Sequence, residues 1–204
     1  PLTVHDRSNP RGYLDVAGSI RDIFAGIFPD LGDLQTAAIR NAVKQAFEEK
    51  GWTDGVSDLN QEEPLFRRVY EILQTQAQDR SKSAQTMLTR LEELADYGLF
   101  STDQSPGSLL EFAKPVLVRL HRLGNEAVQK AFASFVLYHI YKEMFLQGEQ
   151  QAVRHAVIFD EAHKAAKLSL IPRMAKECRK FGISFVLASQ EAKDFDRSVF
   201  SAIA

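Results

Sequence analysis

His155-Ala156-Val157-Ile158-Phe159-Asp160-Glu161-Ala162-His163 is an apolar run that closes on two adjacent carboxylates, and its reading decides the fold. A short continuous apolar stretch bounded by polar residues marks a strand buried on both faces, as parallel sheets require. Ile183-Ser184-Phe185-Val186-Leu187-Ala188-Ser189-Gln190 repeats the pattern and closes on Ser-Gln. Between them, about Pro172 to Phe181 reads as a helix. Upstream lie a long apolar helix, Val128 to Phe145, and a β-branched run, Pro115-Val116-Leu117-Val118-Arg119-Leu120. Strand, helix, strand, helix, strand predicts an open parallel sheet covered on both faces.

The first half reads as helices. Ile20, Ile23, Phe24, Ile27 and Phe28 keep helical spacing up to Pro29, which predicts a short helix after a turn-rich opening at Asn9-Pro10 and Gly12. From Asp33 a second helix places Ile39, Val43, Ala46 and Phe47 on one face and ends at Gly51, a C′ glycine. Pro64 reads as a first-turn proline ahead of Leu65, Val69, Ile72 and Leu73. Ser81 caps a fourth stripe, Ala84, Met87, Leu88, Leu91 and Leu94, up to about Gly98. These stripes read as core packing. The texture changes near Pro106-Gly107, so we expect a helical region over 1–106 and a parallel α/β region over 107–204, packed as one body.

Composition narrows the class. The chain has 204 residues, 45% of them apolar, and a formal charge of −2, which excludes a disordered or collagen-like chain. Cys178 is the one cysteine, so no internal disulfide forms and a reducing cytoplasm is the expected compartment. Ala131 to Leu146 is interrupted by Ser134, His139, Lys142 and Glu143 and reads as a buried helix, not a membrane span. The first hundred residues carry −5 and the remainder +3, too mild a split to argue nucleic-acid binding by itself. The missing initial Met and the abrupt ends lead us to expect a fragment.

In an open parallel sheet ligands bind at the C-terminal ends of the strands. Asp160 and Glu161 stand at one such end. In nucleotide hydrolysis one carboxylate there holds the magnesium shell, and its neighbour orients or deprotonates the attacking water. The competing reading is a solvated strand end or a helix N-cap. Gln190 closes the next strand, where a neutral amide can sense a γ-phosphate without adding negative charge. Ser189-Gln190 alone fits an ordinary polar strand end as well. His163 has no Cys or His at metal spacing and reads as polar or packing. No G-x-x-x-x-G-K-[ST] occurs, and Gly51-Trp52-Thr53-Asp54-Gly55 lacks the following lysine. The loop that cradles the β- and γ-phosphates is not in this sequence: either the fragment starts downstream of it, or this is no NTPase.

Together these residues resemble the HerA-like branch of the HerA/FtsK superfamily of hexameric DNA-pumping ATPases, over nearly the whole chain. HAVIFDEAH at His155 to His163 is similar to the family's second acidic motif, and ECRKFGISFVLASQ at Glu177 to Gln190 to its Arg-Lys-Phe-Gly turn and sensor strand. DIFAGIFPDLGDLQTAAIRNAV from Asp22 and the helix near Asn125 are also similar. The resemblance implies the C-terminal part of a RecA-like (ASCE) P-loop NTPase core with a helical insertion, beginning after the phosphate loop.

It also implies roles. Asp160 matches the magnesium-shell aspartate, Glu161 the water-activating glutamate and Gln190 the sensor amide, with ATP and Mg2+ as cofactors. Arg179-Lys180 match a basic pair on the preceding turn. Arg179 either approaches a phosphate in its own or a neighbouring subunit, or is an exposed helix-end arginine beside a negative helix terminus. Cys178, where the family often has glycine, and Glu191, where proline is common, depart from the pattern. The implied activity is ATP-driven movement of double-stranded DNA by a homo-hexamer, with a nuclease or defence effector as partner. The alternatives are a DEAH-box helicase, whose box Asp160-Glu161-Ala162-His163 spells, and a catalytically silent scaffold. Ala188-Ser189-Gln190 in place of a Ser-Ala-Thr motif weighs against the first, and the two intact acids against the second.

Overall fold

The computed structural model describes residues 2–4, 9–53, 61–99, 115–160, 162, 170–191, 193, 195 and 199. The chain divides into two compact units, Pro1–Ser105 and Pro106–Ala204.

The first unit is built from α1 (Gly12–Ile27), α2 (Asp33–Glu49), α3 (Phe66–Gln78) and α4 (Lys82–Ala95). α1 packs on α2, and α2 in turn on α3 and α4. The first helix is longer than its expected short span. Tyr13, Val16 and Ala17 extend the buried stripe back from Ile20, and Asn9 Oδ1 accepts the N–H of Arg11 at 2.9 Å to set the turn that launches the helix. α2 buries Ile39, Val43, Ala46 and Phe47 completely.

Its end is a Schellman motif: the Gly51 N–H donates to the Glu48 carbonyl at 2.9 Å and the Trp52 N–H to the Phe47 carbonyl at 3.1 Å. Gly51 sits at φ +85°, and the Trp52 and Phe47 rings meet edge to face at 5.6 Å, the hydrophobic contact that accompanies this motif. Pro64 is not in the first turn of α3: Leu65 is the cap residue, and the Pro64 carbonyl instead accepts the Leu2 N–H at 2.9 Å. Ser81 Oγ accepts the Ala84 N–H and caps α4 as expected.

The second unit contains α5 (Glu126–Gln147), β1 (His155–Phe159), α6 (Leu170–Glu177) and β2 (Ile183–Leu187). Asn125 caps α5 by accepting from the Ala127 and Val128 N–H groups. β1 and β2 pair in parallel from His155 opposite Ile183 to Phe159 opposite Leu187, with α6 in the crossover. Ala133, Leu137, Tyr141 and Met144 of α5, with Ile171 and Met174 of α6, form the core against the face that carries Phe159 and Ile183.

Two expectations are corrected here. Residues 115–119 form no strand and end in a 3-10 turn at Leu120–Arg122, and Val116, Leu117 and Val118 lie exposed. A β-branched run becomes a strand only with a ladder to join, and among the described residues none pairs with it. Nor, among the described residues, is the sheet covered on both faces. Ala156, Ile158 and Val186 share the second face, where Ile158 is 71% and Val186 44% exposed. The apolar run in β1 predicts burial on both sides, but the described helices pack on one. The observed sheet has two parallel strands among the described residues, fewer than the three expected.

Candidate functional site

The register of the two strands makes a common polar edge. Beyond the last pair, the Ala188 N–H donates to the Phe159 carbonyl at 3.0 Å and the Ala162 N–H to the Ala188 carbonyl at 2.8 Å. The ladder therefore carries the turn after β1 onto the end of β2. Ala162 is 1% exposed within the core and anchors that turn. Asp160 leaves this edge exposed to solvent, beside half-buried Ser189 and exposed Gln190. Glu161 and His163 lie outside the described residues. The structure thus puts Asp160 level with Ala188, so that Asp160 and the Ser189-Gln190 pair follow from the same C-terminal edge of the sheet, where α/β sheets bind ligands.

Arg179 is placed elsewhere. It lies in the 3-10 turn Cys178–Phe181 that enters β2, exposed, at the N-terminal edge of the strand whose C-terminal edge leads to Gln190. Five residues of strand put roughly 16 Å between those edges.

Gly182 controls the entry, a role that sequence reading passed over. Its backbone is left-handed at φ +71°, and a Cβ there would sit 2.7 Å from the Ala152 carbonyl oxygen. Its own carbonyl accepts the N–H groups of Arg154 and His155, while the Gln150 N–H donates to the Lys180 carbonyl. The turn before β2 is thereby stitched to the chain entering β1, in the register that brings the ends of β1 and β2 level at Phe159 and Leu187. The available signal was a lone glycine between a helical and a strand pattern.

Behind the sheet, Tyr141 of α5 donates its hydroxyl to Glu177 Oε2 at 2.7 Å, and the Arg173 guanidinium lies over the Tyr141 ring at 5.5 Å. Burial first, then the Glu177 acceptor, pushes the phenol up to about 12. Burial likewise pushes the Cys178 thiol up to about 12, with Glu177 adding to it; its Sγ rests 3.7 Å from the Met144 sulfur. A buried, protonated thiol packs as a small hydrophobe.

A metal ion at this edge would have Asp160 as its described protein ligand. Among the described residues no group of three or more His, Cys, Asp or Glu gathers as a metal cage. An exposed carboxylate at a strand end fits an ion held mainly by water and substrate phosphates, the usual habit of Mg2+.

No family model and no curated protein matches the chain. A solved structure does: VirB4 of Thermoanaerobacter pseudethanolicus superposes with a TM-score of 0.64 over 92% of this chain and 68% of that one. The fold is similar to that of VirB4. At 22% identity the likeness is one of fold, and the two parallel strands with their helices correspond to part of the VirB4 fold. Among the described residues no helix is long and apolar enough to cross a membrane.

Proposed function

We propose that this chain carries the metal side of an ATPase site in a DNA-translocating motor of the HerA-like kind. The observation that supports it best is the shared edge: two parallel strands in register end at Phe159 and Leu187, so Asp160 and, three residues beyond Leu187, Gln190 follow from the same edge of the sheet, in a fold similar to that of VirB4, a HerA/FtsK-superfamily ATPase. In this reading Asp160 holds Mg2+ and Glu161, next along the chain, activates water. Gln190 senses the γ-phosphate through a neutral amide. The ion, when bound, would neutralise charge on the transferred phosphoryl group.

Arg179, at the far edge of β2, then serves a phosphate in a neighbouring subunit rather than its own. That assignment suits a homo-hexameric ring around double-stranded DNA, working in the cytoplasm with a nuclease or effector partner. The backbone nest and lysine for the phosphates come from outside this sequence, which contains no such motif. Apolar Ile158 and Val186 on the open sheet face leave room for further core to pack there.

The test compares the chain alone with the chain extended upstream to include a glycine-rich loop. The reading requires no ATP turnover from the first, turnover from the second, and loss of turnover in Asp160→Ala. Steady turnover by the chain alone, abolished by Asp160→Ala, would overturn the division of the site, and an extended chain that binds ATP without hydrolysing it would support the silent scaffold instead.

A further inference from the structure

The helical unit holds a cavity of about 300 Å³, at the small end of ligand pockets, between α1, the middle of α2 and the residue that follows the Schellman turn. Arg40 and Lys44 stand one helical turn apart and line the same wall. Asn41 and Thr53 line it as well. Tyr13, 3% exposed, and Leu14 provide the apolar floor.

Arg40 is half-buried, yet among the described residues it takes no part in a hydrogen bond or ion pair. Its neighbours on α2 are matched: Lys44 meets Glu48 at 3.2 Å, Gln45 meets Glu49 at 3.0 Å, and Glu49 also holds Arg68. Glu48 lines the cavity too, so the wall carries two cations against one carboxylate. Like charges at i, i+4 repel, and the planar fork of donors on Arg40 meets no protein acceptor among the described residues. The Asn41 amide and the Thr53 hydroxyl add donors without a protein partner among the described residues. An anion with several acceptor oxygens answers all of these groups at once, and the planar fork of arginine is matched to phosphate.

We propose that this cavity binds the phosphate group of a phosphate ester, with Arg40 as the bidentate anchor, Lys44 as the second cation and the organic part resting on Tyr13 and Leu14. Two sources share that chemistry, a free mononucleotide and the backbone of DNA. The site is independent of the ATPase reading, because Arg40 belongs to the first unit and Asp160 to the second.

Trp52, the one tryptophan, is 2% exposed and precedes Thr53 in the chain, so its fluorescence serves as one readout beside the amide shifts of the lining residues. The whole chain would be titrated with inorganic phosphate, adenosine monophosphate and a short DNA duplex, following Trp52 emission and amide NMR shifts. At least one probe should saturate, and Arg40→Gln should weaken it by about ten-fold or more, the scale of a lost charge-assisted pair. Arg40→Lys, which keeps the charge and loses the fork, should fall between. Arg67→Gln, on exposed α3 surface, should leave binding unchanged. Tighter binding of the duplex than of the monophosphate would assign the backbone as source, and the reverse order the nucleotide. The proposal is overturned if no probe saturates, or if folded Arg40→Gln binds as the parent does.

Discussion

The Tyr141 hydroxyl and the Glu177 carboxylate, 2.7 Å apart, tie α5 to the last residue of α6, immediately before the turn that enters β2. The contact holds the helix layer to the strand that ends beside Asp160. Tyr141→Phe removes the donor while half-buried Glu177 keeps access to water, so it should destabilise the second unit by about 1 kcal/mol, the usual net value of such a bond. Urea unfolding followed by circular dichroism would measure it. A loss near zero would mean that the ring packing alone holds the two helices.

Tyr141 and its core neighbour Cys178 predict a response to alkali. The Tyr141 phenol rises from 10.0 to about 12 and the Cys178 thiol from 9.0 to about 12 on folding, so the native state keeps protons that the unfolded chain releases. Each group's contribution is complete below its unfolded value and is lost as pH rises through the folded one. Stability of the second unit should therefore decline from about pH 9 to about pH 12. Tyr141→Phe should flatten the part above pH 10, where its phenol begins to titrate when unfolded. An unchanged slope in that variant would show that other groups govern the decline.

Two glycines should answer alanine with opposite signs. At Gly182 the left-handed backbone and the Ala152 carbonyl, 2.7 Å from any Cβ, both oppose a side chain, so Gly182→Ala should cost about 2 kcal/mol or more. At Gly18, inside α1, a Cβ meets nothing within 4 Å, and Gly18→Ala should stabilise the first unit by about 0.5–1 kcal/mol. Trp52 fluorescence follows the first unit and far-ultraviolet circular dichroism the whole chain, which separates the two results. Stabilisation by Gly182→Ala would mean the turn is not built as described.

Cys178 should resist alkylation in the folded protein. A thiol raised from 9.0 to about 12 has roughly a thousandfold less thiolate near neutral pH, and its 2% exposure also blocks the reagent. Iodoacetamide should react at the rate at which the second unit opens, accelerating in urea. Rapid labelling without denaturant would contradict the burial of this residue.

What the sequence disclosed depended on whether an element's partners lie in the same sequence. The stripe in α2 was legible because Ile39, Val43 and Phe47 bury against helices that follow and precede them closely. β1 and β2 were legible because each supplies the other's ladder. Val116-Leu117-Val118 has the same β-branched composition and forms no strand, since composition cannot state whether a neighbouring strand is present. At the candidate site the acid at Asp160 and the amide at Gln190 could be picked from their places at strand ends. The level ending of their strands could not, because it rests on the carbonyl of Gly182 and the burial of Ala162, features of register rather than residue type. Arg40 escaped notice for a related reason: a cation on a charged helix face looks solvated until its neighbours are found to be paired with one another.

The strongest demand on the proposed ATPase is that its two adjacent acids separate by function. Asp160 stands exposed at the end of β1, with the backbone beyond it pinned by the Ala162 to Ala188 bond. If it holds Mg2+, Asp160→Asn in the chain extended by its phosphate loop should weaken nucleotide and metal binding together with turnover, because the charge that balances the cation is gone. If Glu161 activates water, Glu161→Gln should bind ATP almost as the parent does while turnover falls by about 10²–10⁴-fold, the size of a general-base contribution. The second variant would accumulate in an ATP-loaded state, so assembly should persist while DNA movement stops. Nucleotide affinity and single-turnover hydrolysis, measured for both variants, decide the matter. Hydrolysis at the parental rate in Glu161→Gln would place the base on another residue, and equal loss of binding in both variants would mean the two carboxylates act as one metal site.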